Sequence, residues 1–215
     1  MLVLLPPSAG KTAPPPGPPV DLAELVHAAE LTRKRERLLR ALNLADAPAG
    51  LAAEVYTGVL YGQLRLGELD RAAWDRVLIA SAVFGVVRPG DRICAYKADM
   101  GSRVPRLRES LAAYWRPALA KTLRDEGLIL DLRSGSYAAA WKPRHATVLG
   151  VRGFTEAPDG SRMVITHMAK RVRGDVARIV LDANPETPPD IARLAEAAGL
   201  RVELTADTLD VIEPG

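Results

Sequence analysis

The run MLVLLPPSAGK, residues 1–11, opens the chain with five apolar residues that end at Pro6. Proline cannot continue a helix or pair in the middle of a sheet, so an ordered element over residues 1–5 has to stop there. The run has no basic segment ahead of it, which a secretory signal needs. We therefore interpret residues 1–5 as a buried first strand that is followed by a strand-end loop.

The rest of the chain alternates between helical and extended patterns without a strict strand–helix–strand rhythm. Helical spacing of apolar residues predicts helices over residues 22–44, 106–126, 169–181 and 190–198. Short apolar runs predict strands over residues 77–83, 128–132, 200–204 and 208–212. The pattern favours an α/β fold of the mixed α+β kind, with a central mixed sheet surrounded by helices, over a parallel doubly wound fold.

Turn signals separate these elements. Asp159-Gly160 predicts a hairpin between residues 146–151 and 162–167, and residues 84–91 have the glycine and proline content of a loop. Residues 13–19 are rich in proline, and we expect them to form an extended surface arm. A length of 215 residues without an internal repeat fits a single domain over residues 1–215.

The composition is that of a globular chain. Hydrophobic residues make up 48% and charged residues 26% of the sequence, which excludes a disordered or membrane-spanning class. With Cys94 as the single cysteine no internal disulfide forms, so we expect a cytoplasmic protein without a membrane partner. The net charge is only +3, but basic residues cluster over residues 33–40, 103–108 and 170–178. Each cluster is either a solvated helix face or a contact for a polyanion.

The segment Ser8-Ala9-Gly10-Lys11-Thr12 ends in Gly-Lys-Thr, as the phosphate loop of nucleotide hydrolases does. It differs from that loop because Leu5 stands where the first glycine belongs, and prolines at 14–16 replace the helix that receives the phosphate. A loop with Ser8, Gly10 and Lys11 still offers backbone donors, a hydroxyl and an ammonium group to a phosphate. The alternative is a plain turn between strand and arm.

Metal and thiol chemistry have little support in the sequence. The three histidines and Cys94 are scattered at no ligand-like spacing, so we predict no metal and no cofactor. Cys94 lies three residues from Lys97, which leaves an oxidant-sensing thiol open. We interpret this cysteine instead as a packed apolar residue.

Five segments follow one another in a recognisable order. They are LLPPSAGK (4–11), YTGVLYGQL (56–64), FGVVRPGD (84–91), YKADMG (96–101) and MAKRVRG (168–174). Together they resemble the signature elements of the YaaA peroxide-stress family. Two departures stand out: Ala9 replaces the usual glutamate, and residues 134–137 keep mainly Ser136 and Tyr137 of a longer family element.

The resemblance implies a protein that defends against hydrogen peroxide and binds DNA through a basic cleft with a helix-hairpin-helix-like element. The matched segments are rich in groups that bind phosphate with little sequence preference. The candidates for binding phosphate or nucleic acid are Ser8, Gly10, Lys11, Arg88, Lys97, Lys170 and Arg173. Tyr56, Tyr96 and Tyr137 are candidates for stacking on bases, or else for core packing. Arg88 has the alternative of pairing with Asp91 or Asp99.

Three functions remain open at this point. The first is a DNA-binding protein of the peroxide-stress response. The second is an enzyme acting on a nucleotide or a nucleobase-sugar-phosphate, with Ser8, Lys11 and Lys170 as catalytic residues, and inactive if the chemistry needs the glutamate that Ala9 replaces. The third is a scaffold for other proteins. A pocket that gathers the cations indicates a small phosphate-bearing ligand, whereas an open groove indicates a strand of DNA.

Overall fold

The computed structural model describes residues 1–105, 107–164 and 166–214. Its centre is a mixed sheet of eight strands in the order β4-β3-β1-β6-β7-β10-β9, with β8 paired to β7, while β2 and β5 form a separate small sheet. The strands are β1 (Leu2–Leu5), β2 (Gly50–Leu51), β3 (Val77–Ser81), β4 (Gly85–Val87), β5 (Arg92–Ile93), β6 (Leu128–Asp131), β7 (Thr147–Glu156), β8 (Arg162–Met163), β9 (Val202–Leu204) and β10 (Thr208–Pro214). The predicted mixed sheet is confirmed.

Helices flank this sheet. They are α1 (Ala28–Ala41), α2 (Ala52–Val55), α3 (Val59–Leu64), α4 (Arg71–Trp74), α5 (Leu111–Thr122), α6 (Gly135–Ala138), α7 (Thr166–Ala183) and α8 (Pro188–Ala197). Side chains that accept backbone N–H groups fix several of the helix starts. The Ser110 hydroxyl accepts from Ala113 at the start of α5, and Thr187 and Asp190 form a capping box at the start of α8. No helix in these three described ranges is long and apolar enough to cross a membrane.

Strand β1 lies in the middle of the sheet, parallel to β3 on one side and to β6 on the other. Val3 is in register with Val77 and with Leu130, and residues 3–5 are buried, as the apolar opening run predicts. Parallel strands end at the same edge of a sheet. The loop that follows β1 therefore lies beside the residues that follow β6, and this edge carries the site described below.

The prediction of a loop over residues 84–91 was wrong in its first half. Strand β4 pairs antiparallel with β3, because the Ser81 Oγ accepts the Phe84 N–H at 3.1 Å and closes a tight turn between them. Gly85 has a φ of 76°, and a Cβ there would come within 2.9 Å of the Trp115 ring. Gly85 is therefore explained by the turn and by packing.

Several helices and strands begin or end at other residues than the sequence predicts. The helix expected over 22–44 begins only at Ala28, because His27 adopts a left-handed φ of 56°. The helix expected over 106–126 spans Leu111–Thr122, and Arg106 lies outside the described residues. The predicted hairpin exists, but β8 pairs with residues 155–156 at the far end of β7 rather than with 146–151. Ile165, in the predicted second strand of that hairpin, is also outside the described residues.

Helices α3 and α7 pack at very short range. A Cβ on Gly174 would lie 2.5 Å from the Leu60 carbonyl oxygen and 2.7 Å from the Gln63 Cβ, distances that real Cβ atoms do not adopt. Only glycine allows the two backbones to approach this closely. The contact fixes the first turns of α7, which carry Lys170 and Arg173, against the segment that precedes them in the site.

Candidate functional site

A cavity of about 550 Å³ lies where the loop after β1 meets the start of α7. Its walls are residues 6–11, 57–61 and 97–99, together with Ser134, Tyr137, Lys170 and Arg173. We call this cavity the basic cavity. It brings together most of the predicted binding residues, although Ser8 and Arg173 are 165 positions apart in the chain.

Four cations line the basic cavity: Lys11, Lys97, Lys170 and Arg173. Lys97 and Lys170 are exposed, and neither side chain has a hydrogen bond or an ion pair within residues 1–105, 107–164 and 166–214. Among the described lining residues the only carboxylate is Asp99, whose Oδ1 accepts the Gly101 N–H at 2.7 Å. The cavity therefore carries an excess of positive charge, which favours an anionic ligand.

Lys11 is the most enclosed of these three lysines. Its Nζ donates to the Ser8 carbonyl oxygen at 2.9 Å and lies 4.3 Å from the centre of the Tyr96 ring and 5.8 Å from that of Tyr56. The ring faces attract the ammonium group, but only weakly compared with water. Burial lowers the pKa of Lys11 from 10.5.

The Ser8 side chain holds the loop in shape. Its hydroxyl donates to the Gly10 carbonyl oxygen and accepts the Thr57 N–H at 3.0 Å. The Thr12 N–H adds a bond of 2.9 Å to the Val55 carbonyl oxygen, so the loop is tied at two points to the segment around α2. The hydroxyl proton of Ser8 is thus used within the protein. Gly10 lies on the exposed side of this loop, where a Cβ would have Thr57 Oγ1 at 3.9 Å as its nearest atom.

The three predicted stacking residues divide into two groups. Tyr56 and Tyr96 are buried, and their hydroxyls form a chain from Tyr56 to Tyr96 at 2.8 Å and on to Ser81 at 2.9 Å. Burial raises the pKa of both tyrosines well above 10, so they stay protonated. Tyr137 does line the basic cavity, and burial, with Asp99 nearby, raises its pKa to about 12. Tyr56 and Tyr96 therefore form a wall behind Lys11.

Arg88 is not brought to the basic cavity. Its side chain is exposed and its Nη1 lies 3.4 Å from Asp75 Oδ1. Its backbone N–H donates to Asp91 Oδ2 at 2.9 Å, which closes the turn of residues 88–91. Of the predicted alternatives for Arg88, the contact with Asp91 exists through the backbone N–H, while the side chain lies beside Asp75.

Arg173 reaches the cavity from α7 in a half-buried position. Its Nε donates to the Val151 carbonyl oxygen at 3.0 Å, which anchors the guanidinium group at one nitrogen. Burial lowers the pKa of Arg173, and Asp131 partly opposes that shift. The remaining donors of a guanidinium group held in this way suit a phosphate.

Sequence reasoning missed some lining residues, notably Tyr61, Thr57, Asp99 and Ser134. Tyr61 stacks on Tyr56 with ring centres 5.8 Å apart and donates its hydroxyl to the Pro6 carbonyl oxygen at 2.7 Å. A usable signal was present, because these residues lie in the same segments, 56–64, 96–101 and 134–137, that supply Lys97 and the three tyrosines predicted to stack.

The single thiol lies outside this chemistry. Cys94 is 1% exposed, and burial raises its pKa to about 11. This agrees with its interpretation as a packed apolar residue. In the described part of the chain no three His, Cys, Asp or Glu side chains are grouped so as to hold a metal ion.

The fold and the cavity define a class: an α/β protein with a mixed sheet and a basic pocket of ligand size at the carboxyl end of its central strand. The sequence model described as peroxide stress protein YaaA matches residues 18–205. The chain belongs to this family, as its ordered segments predict.

Curated relatives agree with that assignment and are named only as UPF0246 proteins. One from Streptomyces coelicolor is 35% identical, with 96% of this chain and 93% of the relative aligned. One from Corynebacterium efficiens is 34% identical, with 95% of each chain aligned. One from Phenylobacterium zucineum is 34% identical, with 87% of this chain and 76% of the relative aligned.

Proposed function

We propose that this protein serves in the peroxide-stress response by binding DNA, and that a phosphate-bearing unit of nucleotide size enters the basic cavity. The family to which the chain belongs takes its name from peroxide stress. The partner class comes from the charge and the size of the cavity. Binding of this kind needs cations and backbone donors, so little preference for base sequence is expected.

One observation carries the proposal: four cations from three separate segments converge on one cavity whose described walls hold a single carboxylate. Like charges held close together repel one another, and a fold gains nothing from such an arrangement by itself. A bound phosphate removes that repulsion and accepts the free donors of Lys97, Lys170 and Arg173.

The size of the cavity limits which part of a DNA partner can enter it. A volume of about 550 Å³ lies within the range of pockets for small ligands, and it takes one nucleotide rather than a duplex. DNA would therefore enter through an unpaired or terminal nucleotide, with Tyr137 available to its base. Strands with unpaired nucleotides are expected to bind more tightly than a blunt duplex.

The test compares two double variants that lose the same charge. Lys97→Ala with Lys170→Ala removes two cavity cations, whereas Lys121→Ala with Lys142→Ala removes two exposed lysines that do not line the cavity. Fluorescence anisotropy with a 5′-phosphorylated single strand measures affinity as a function of salt. We expect the cavity variant to bind at least about ten-fold more weakly, with a salt slope smaller by about 2, and the control to stay near wild type.

Two results would contradict the proposal. Equal losses in the cavity and control variants would mean that binding is a general surface effect. No detectable binding of single-stranded, junction or duplex DNA at low salt would remove DNA as the partner. Thermal unfolding of both variants, expected to match wild type, verifies that they fold.

A second candidate, an enzyme acting on a nucleotide or a nucleobase-sugar-phosphate, is favoured by the presence of an amine and a carboxylate in the walls of one cavity. Lys11 and Asp99 both line it, and Ala9 lies exposed in the same loop. Ala9→Glu restores the carboxylate usual in the family, and it is expected to create or raise turnover of a nucleotide. If the variant alters neither binding nor turnover across a panel of nucleotides, this candidate loses its support.

A further inference from the structure

Lys11 differs from the other three cavity cations in its surroundings. Lys97 and Lys170 are exposed, and Arg173 is held by a carbonyl oxygen beside Asp131. The Lys11 amine instead donates a hydrogen bond of 2.9 Å to the Ser8 carbonyl oxygen and faces two buried phenol rings. Within the described residues it has no carboxylate partner.

Such surroundings disfavour the ammonium form of the amine. Burial lowers the pKa of Lys11, and Lys97, Lys170 and Arg173 line the same cavity. A desolvated lysine beside other cations is the usual way in which a protein obtains a nucleophilic amine at neutral pH. The Ser8 carbonyl oxygen accepts one N–H of this amine and fixes the nitrogen at the cavity wall.

We propose that Lys11 Nζ forms an imine with the aldehyde of a sugar phosphate whose phosphate group is bound by Lys97, Lys170 and Arg173. The phosphate half of this inference rests on the proposed function, and the amine half rests on the position of Lys11. The cations therefore have different roles: Lys97, Lys170 and Arg173 bind the phosphate group, and Lys11 reacts with the aldehyde.

The chemistry is balanced without any further reactant. The nitrogen lone pair attacks the aldehyde carbon, and the carbonyl electron pair moves to oxygen, which takes up a proton. The nitrogen gives up both of its protons in all, the oxygen takes up a second proton and leaves as water, and a C=N bond remains, so amine and aldehyde give imine and water. Hydrolysis reverses the reaction, and borohydride added in the experiment delivers hydride to the imine carbon and makes the bond permanent.

An aldehyde beside a phosphate has two sources. One is the ring-opened form of a free sugar phosphate, and the other is the sugar of a DNA strand that has lost its base. Both present the same groups to the cavity, and its volume of about 550 Å³ accommodates a single sugar phosphate unit.

The experiment treats the full chain with borohydride in the presence of ribose 5-phosphate, ribose, or an oligonucleotide with one abasic site. Intact mass and peptide mapping identify the modified lysine. We expect adducts at Lys11, formed at least about ten-fold faster with the phosphorylated aldehydes than with ribose. The ratio between ribose 5-phosphate and the abasic oligonucleotide identifies the source.

Two variants complete the design. Lys11→Arg keeps the charge but is expected to abolish the adduct. Lys97→Ala with Lys170→Ala is expected to slow trapping of the phosphorylated aldehydes more than it slows trapping of ribose. Peptide mapping of the wild-type protein gives the same answer independently of whether a variant folds.

Adducts spread over surface lysines, or absent from Lys11, would overturn the inference. If oligonucleotides bind in the basic cavity but no adduct forms, the imine is wrong while the proposed function stands. If Lys11 is trapped equally fast by ribose and by ribose 5-phosphate, the phosphate half fails, while the proposed function is decided separately by the binding of oligonucleotides.

Discussion

The basic cavity and the C-terminal margin of the sheet are both rich in cations, but only the cations of the margin are paired with carboxylates. We define the arginine margin as a set of four arginines that pair with carboxylates on or beside β7 and β10. They are Arg152, Arg162, Arg171 and Arg201. Arg152 and Arg162, for example, lie 2.7 Å and 2.6 Å from Asp210 and Glu203. In the described part of the basic cavity no cation has an ion pair.

The pKa shifts follow the same division. Asp210 raises the pKa of Arg152, since the carboxylate stabilises the charged form. Burial without a carboxylate partner lowers the pKa of Lys11 and of Arg173. The comparison teaches that a count of basic residues does not identify a binding surface. The informative property is whether the fold supplies the counter-charge itself or leaves it to a ligand.

The largest expected effect comes from Gly174, whose close contact with Leu60 and Gln63 places the cavity cations of α7. Gly174→Ala forces the two helices apart and is expected to lower the free energy of unfolding by about 3 kcal/mol, with loss of phosphate binding. Gly62→Ala in α3 is the matched control, because a Cβ there meets no atom within 4 Å. Chemical denaturation measures both. A neutral Gly174→Ala would show that cavity geometry does not depend on this contact.

A pair of carboxylate-to-amide variants compares the two regions directly. Asp210 is 7% exposed and binds Arg152 through both oxygens, so Asp210→Asn is expected to cost about 1 kcal/mol of unfolding free energy. Asp99→Asn keeps the acceptor for the Gly101 N–H, so stability is expected to change little. Removing its charge is expected to raise affinity for a phosphorylated strand by about five-fold. Weaker binding by Asp99→Asn would contradict the comparison.

The smallest expected effect is a pH dependence caused by Lys11. Because its pKa is lower in the folded protein than the unfolded value near 10.5, unfolding takes up a proton between those two values. The unfolding free energy contributed by Lys11 therefore rises with pH through that range. Lys11→Met removes this group, so the variant is expected to be more stable than wild type near neutral pH, with a difference that shrinks towards pH 10.5. A difference independent of pH would be inconsistent with a buried Lys11.

Much of the fold was predictable because its signals are local. Apolar runs identify β1, β3 and β6, which are buried in the sheet centre, and Thr187 and Asp190 mark the start of α8. The antiparallel β4 was not predictable from its composition, since the tight turn depends on a Ser81 side chain and on space beside Trp115. The sites of close backbone contact, such as Gly174, have no local signal at all.

The site was predictable only in part for a related reason. Lys11, Lys97, Lys170 and Arg173 come together in the basic cavity, whereas Arg88 lies elsewhere with Asp75 as its partner. A phenol ring fits a core or a cavity wall equally well, so sequence does not separate Tyr56 and Tyr96 from Tyr137, which lines the basic cavity. Long-range packing determines both which cations reach the basic cavity and which tyrosines line it.

The position of the only sulfhydryl, Cys94, limits how readily this chain reacts with peroxide. Peroxide reacts with thiolates, and the Cys94 side chain is sealed in the interior with a pKa of about 11, so the folded chain offers oxidant almost none. A peroxide sensor of the thiol type needs an accessible, ionised cysteine. The single cysteine of this chain is neither.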